Sequence, residues 1–179
     1  MNFCIIIGHD KYNQGAQSAG KEFTEYVYNK ELAKRISFCL GTLQLEPTII
    51  KKNDISNLEV AEIIKKKDAV CSIELHANSF SGEARGTEVL YTDKNELNGY
   101  LAKLIQNGLA VTLDRQGKYN RGTKEIKEGE RGYNNIKLIE SPCCLLEPFF
   151  IDNIHDLRLG VFEIEKIAKS ISNSMISFI

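Results

Sequence analysis

The chain has 179 residues, with 23 basic and 24 acidic side chains, so its charges nearly cancel. That balance argues against nucleic acid as a partner and leaves no basic patch for an anionic membrane. The length suits a single domain, 1–179, whose core needs no staples, and no apolar run approaches the length that would insert into a membrane.

In chain order, Asn2–Ile7 is a continuous apolar run, as expected of a strand covered on both faces. It begins directly after Met1, with no basic segment and no cleavage site, which predicts a protein made in the cytoplasm without a signal peptide. Gly8 permits a tight turn and His9 follows it. Residues 10–24 are polar and predict a loop; Thr24 offers a cap for a helix over about 25–41, with Leu32, Ala33, Ile36 and Leu40 on its stripe. A short strand is expected over 45–50, then an amphipathic helix over 55–66. The apolar run 69–76 predicts a strand ending on His76, followed by a small-residue rim loop over 77–87. A further strand, 87–91, and a helix, 95–111, come next.

Residues 113–135 are irregular and charged, the kind of long loop that often carries function. A strand is expected over 136–139, then a buried one over 143–146 that runs into Glu147. One long helix, 155–177, closes the chain, with His155 at its start as a surface or capping residue. The alternation predicts an α/β fold: a single three-layer domain with a mostly parallel, twisted sheet covered by helices on both faces. The five cysteines include no Cys-x-x-Cys pair, and four lie in expected strands, which suits small buried hydrophobes.

Three buried strands therefore deliver His9, His76 and Glu147 at their carboxyl ends, where ligands gather in open α/β sheets. Catalytic zinc takes three protein ligands and leaves a position open, and two histidines with one carboxylate form a known set. Two strand-end imidazoles would fix the metal on the sheet, and Glu25, in the first turn of the neighbouring helix, can close the triangle. Glu147 then lies near the open position as a base that takes a proton from water and returns it to a leaving amine.

The motifs that carry these residues are Ile7-Gly8-His9, Gly15-Ala16, Glu25 through Ala33, Glu74-Leu75-His76-Ala77-Asn78, Gly86 through Tyr91, Arg121-Gly122, and Pro142 through Asn153. In this order and spacing, across nearly the whole chain, they resemble the zinc-dependent N-acetylmuramoyl-L-alanine amidases of bacterial cell-wall turnover and phage lysis. The resemblance implies zinc (Zn2+) on His9, Glu25 and His76, a catalytic Glu147, and peptidoglycan as substrate, cut between the lactyl group of N-acetylmuramic acid and L-alanine. It selects Glu25 over Glu22, because the family's asparagine and alanine at four-residue steps fall on Asn29 and Ala33 only from Glu25. Asn78 stands beside a ligand, with a substrate-binding role or a structural one in its loop.

Two departures stand out. Asp10 and Lys11 replace the two glycines that often follow the first histidine, and Glu74 occupies a place where a small residue is common. By strand period Glu74 shares a side with His76, either orienting that ligand or paired elsewhere. The implied context is a phage- or prophage-type lysin that acts on the wall after release, or an isolated catalytic domain of something longer. The alternatives are a zinc carboxypeptidase-like peptidase on a similar sheet and a non-catalytic wall-binding module.

Overall fold

The computed structural model describes residues 1–45 and 47–179. Six strands form one sheet: β1 (Asn2–Ile7), β2 (Thr48–Lys51), β3 (Ala69–Leu75), β4 (Thr87–Tyr91), β5 (Asn120–Glu125) and β6 (Cys143–Glu147). Their spatial order is β2-β1-β3-β6-β4-β5. All neighbours run parallel except β4 and β6, which are antiparallel. The helices are α1 (Glu25–Gly41), α2 (Asn57–Lys66), α3 (Asn98–Thr112), α4 (Tyr133–Ile136), α5 (Ile154–Phe162) and α6 (Ile164–Ser177).

Strand periodicity divides the core in two. Phe3, Ile5, Ile7, Cys71, Ile73, Leu75, Cys144 and Leu146 face a layer made by α1, α3, α5 and α6. Cys4, Ile6, Cys143 and Leu145 face the opposite way, onto Val60 and Ile64 of α2 and Ile136 of α4. This is the three-layer α/β arrangement expected from the sequence, and the expected Thr24 cap is present among the helix starts. Thr24 accepts from the Val27 amide at the start of α1, Ser56 and Glu59 form a capping box on α2, and Asn153 caps α5.

Some expected boundaries shift. The strand expected over 45–50 occupies Thr48–Lys51, and Glu46 lies outside the described residues. The irregular stretch 113–135 contains β5, a polar edge strand that carries no apolar alternation. The strand expected over 136–139 is absent: Ile136 ends α4, and Ile136 and Ile139 are both buried, three residues apart, as one helical turn presents them. The long last helix is broken at Glu163 (φ −100°, ψ 13°). The break follows Gly160, whose Cα lies so close to Phe149 that a Cβ would sit 2.6 Å from the ring. The Gly160 carbonyl accepts from the Tyr28 hydroxyl at 3.0 Å, a tertiary contact that the continuous apolar stripe does not register.

One buried carboxylate ties the C-terminal layer to the loops beside the sheet. Asp156, fully buried in the first turn of α5, accepts from Arg115 (2.7 Å), Arg85 (3.2 Å), the Gly86 amide (2.8 Å) and the Phe150 amide (3.1 Å). Replacing Asp156 by Ala would leave the buried Arg115 without its counter-charge. The expected cost is about 3–5 kcal/mol of unfolding free energy, measured by urea denaturation. A loss below about 1 kcal/mol would show that the cluster is not what fastens α5.

Candidate metal centre and acid–base site

The parallel register of β1, β3 and β6 sets three chain exits side by side: Ile7 pairs with Leu75, and Leu75 with Leu146. The Gly8 amide donates to the Leu75 carbonyl at 2.9 Å, and a Cβ on Gly8 would lie 2.3 Å from that oxygen, so only glycine permits the approach. The next residue, His9, adopts φ 64°, a left-handed conformation that a histidine enters at some cost. His76 follows β3 directly, its amide bonded to the Leu146 carbonyl at 2.9 Å.

Glu25 sits at the start of α1 between the two imidazoles. Its Oε2 is 3.1 Å from His9 Nε2 and its Oε1 is 3.3 Å from His76 Nδ1. The Ala16 and Ala77 amides also donate to it, at 2.7 and 3.0 Å. The two rings meet edge to face, 5.0 Å between centroids. One donor atom from each of His9, Glu25 and His76 lies within 4.8 Å of the others, the spacing of a group able to hold one metal ion. Gly15 keeps the cradle open, since a Cβ there would come within 2.5 Å of Glu25 Oε2 and 2.6 Å of His9 Nε2. Two neutral-capable imidazoles and a carboxylate suit zinc chemically. Glu22 is exposed and takes no part.

Electrostatics follow the geometry. Burial works against charge on Glu25, but hydrogen bonds from both histidines outweigh it and hold the carboxyl far below its ordinary range. Burial likewise opposes charging His76, yet Glu25 and Glu74 on either side raise its pKa to about 9.

Glu147, at the end of β6, is buried and faces the same cleft of ≈ 360 Å³ as His9, Glu25 and His76. Antiparallel pairing sets it directly opposite Glu88 of β4. Two like charges on one rung repel, and cations answer them. Glu88 accepts from Arg121 and Lys124, both at 2.6 Å, and Arg131 Nη2 donates to Glu147 at 3.0 Å. Burial still dominates at Glu147 and pushes its pKa up to about 7, with Arg131 offsetting part of the rise. Asn78 links the two carboxylates: its Nδ2 donates to Glu88 at 2.7 Å, and its Oδ1 accepts from Arg131 at 3.2 Å.

The structure thus brings His9, Glu25, His76 and Glu147 to one cleft, with Asn78 buried behind it against Arg131 and Glu88. His155 is exposed on α5, away from it. The cysteines are free thiols, and burial raises the pKa of Cys4 to about 11 and of Cys71 to about 12, as inert core residues require. Sequence reasoning missed Glu88, Arg131, Asn135 and Lys52. The sign of Glu88 was available, because strand period places it on the inward side with Leu90. Arg131 and Asn135 come from the irregular stretch, where no periodicity shows which way a side chain faces.

Fold and site define a class: an α/β enzyme that gathers a His–Glu–His group and a separate buried carboxylate at the carboxyl ends of its strands. Residues 3–177 match the N-acetylmuramoyl-L-alanine amidase family, and the chain belongs to that family of hydrolases. Among solved structures, the catalytic domain of the CD27L endolysin targeting Clostridia difficile is similar at 28% identity and TM-score 0.78, covering 99% of this chain and 97% of that one. The amidase AmiC2 of Nostoc punctiforme aligns at 24% identity and TM-score 0.83, covering 99% and 96%. An amidase from Clostridium difficile 630 aligns at 19% and TM-score 0.86, covering 99% and 95%. Comparison with curated protein sequences gives no match.

The raised pKa of Glu147 bears on stability. Its folded value, about 7, exceeds the ordinary 4.5, so between those values the folded state binds the extra proton. The carboxyl therefore destabilises the fold progressively as pH rises from 4.5 to 7, and fully above that. In chelator-treated protein, Glu147→Gln should raise unfolding free energy by up to about 3 kcal/mol at about pH 8, and by nothing at about pH 4. Denaturant titrations at the two pH values check it; a gain that is equal at both would contradict the assignment.

Proposed function

We propose that residues 1–179 form a catalytic domain that cleaves the amide between the lactyl group of N-acetylmuramic acid and L-alanine in peptidoglycan. In this reading His9, Glu25 and His76 hold Zn2+ and Glu147 handles the protons. The observation that carries it is the His9–Glu25–His76 triangle facing the separate carboxylate of Glu147 across one cleft. Zinc bound there would supply a Lewis acid that acidifies water and polarises the scissile carbonyl.

The chain's own groups supply the rest. Glu147, held near neutrality, takes a proton from the attacking water and delivers it to the departing amine nitrogen of L-alanine. Arg131 anchors the Glu147 carboxylate and leaves its second oxygen for that transfer. Asn78 serves the substrate side through the Arg131 that it steadies, because both ends of its amide are already engaged. The likeness to the endolysin catalytic domain supports a phage- or prophage-type lysin, made in the cytoplasm and acting on the wall after release. Among the described residues no helix is long and apolar enough to cross a membrane.

Glu147→Ala should lower hydrolysis of purified walls by about 10²–10⁴-fold while bound zinc stays near one per chain. Mass spectrometry of the digest should show released peptides with new L-alanine amino ends and glycan strands left intact, abolished by chelator and restored by zinc. Normal lysis by the variant would remove Glu147 from the chemistry, and new ends between amino acids would replace the amidase reading with a peptidase.

A further inference from the structure

Glu74 has an environment that the hydrolytic steps above do not use. Its side chain is wholly buried at the end of β3, two residues before His76 and on the same side of the strand. Its Oε1 lies 3.0 Å from His76 Nε2, the ring nitrogen that faces away from Glu25. Two further donors converge on that same oxygen, Lys52 Nζ at 3.2 Å and Asn135 Nδ2 at 2.9 Å. Glu74 Oε2 has no hydrogen-bond partner among the described residues, so the carboxylate spends its bonding on the side that meets the imidazole. Lys52 comes from the segment after β2 and Asn135 from α4, so three separate parts of the chain are committed to this one atom.

We propose that Glu74 is a positioning residue for the metal group. It accepts the Nε2–H of His76, sets the ring so that Nδ1 points toward Glu25 and His9, and thereby raises affinity for a divalent ion. The inference rests on the reading of His76 as a ligand through Nδ1. A metal-ligating imidazole is generally oriented by an acceptor on its other nitrogen, and a carboxylate there also makes the ligating nitrogen more basic. Lys52 and Asn135 hold Glu74 in turn: Lys52 neutralises it in a site closed to water, and Asn135 keeps its oxygen on the ring axis. A small residue at this position would leave the Nε2 edge of His76 to water or to the backbone. This chain substitutes a fixed, charge-assisted bond.

The test is zinc affinity of the whole chain, by competition with a chromophoric chelator, independent of any wall substrate. Glu74→Gln keeps the shape and an acceptor oxygen but removes the charge, and should weaken zinc binding about 10-fold; Glu74→Ala should weaken it toward about 100-fold. In zinc-loaded, ¹⁵N-histidine protein the His76 Nε2–H signal should be protected from exchange in the wild type and lose that protection in Glu74→Ala. If Glu74→Gln loses thermal stability without zinc yet binds zinc as the wild type does, Glu74 is only structural and the proposal fails. If the wild type takes up no zinc, the ligand assignment falls and takes this inference with it. Equal affinity in wild type and variants removes this inference alone.

Discussion

The level exit of three parallel strands is the constraint on which the rest depends. Because Ile7, Leu75 and Leu146 lie in one register, the residues that follow them emerge side by side. Rigid backbone bonds hold those exits: the Gly8 amide on the Leu75 carbonyl, the His76 amide on the Leu146 carbonyl, and the pairing of Asn78 with Phe150 that carries β3 and β6 on beyond their ends. A shift of one residue in β3 would turn His76 and Glu74 toward the apolar helical layer and bury Leu75 among charges. The apolar face therefore enforces the geometry of the polar one.

The two faces of the sheet are covered unequally, and that inequality makes room for chemistry. Four helices seal one face with the larger apolar cluster. The other is covered by α2 and the single turn α4, and there the strand residues pass from Cys143 and Leu145 to Glu147, and from Ser72 to Glu74 and His76. The larger apolar cluster lies on the sealed side, and the thin side holds Glu147, whose raised pKa works against folding as pH rises. Helix α4 contributes both Ile136 to the core and Asn135 to the Glu74 oxygen, and so joins the apolar cluster to the polar one.

Much of this was legible in the residues. Continuous apolar runs marked β1, β3 and β6, and each ended on a side chain with chemistry. Thr24 marked the start of α1 because a cap is a local interaction that sequence displays directly. Glu25 was placed by its position in the first turn of α1. What stayed hidden were features set by distant contacts. β5 is an edge strand without an apolar face, and its pairing depends on β4 being there. The antiparallel insertion of β4 beside β6, which brings Glu88 opposite Glu147, has no local signal. Glu74 was recognisable as lying on the His76 side, but its partners Lys52 and Asn135 are 22 and 61 residues away in the chain.

The rung that pairs Glu88 with Glu147 separates the site into two electrical regimes. The cations that answer those acids stand partly in solvent, with Arg121, Lys124 and Arg131 side chains 34, 43 and 57% exposed. The His–Glu–His group is held by partners that are mostly interior. Dissolved ions screen exposed charges far more than enclosed ones. Ionic strength in the surrounding medium thus becomes a dial on the Glu88–Glu147 rung, while the His–Glu–His group stays insulated from it.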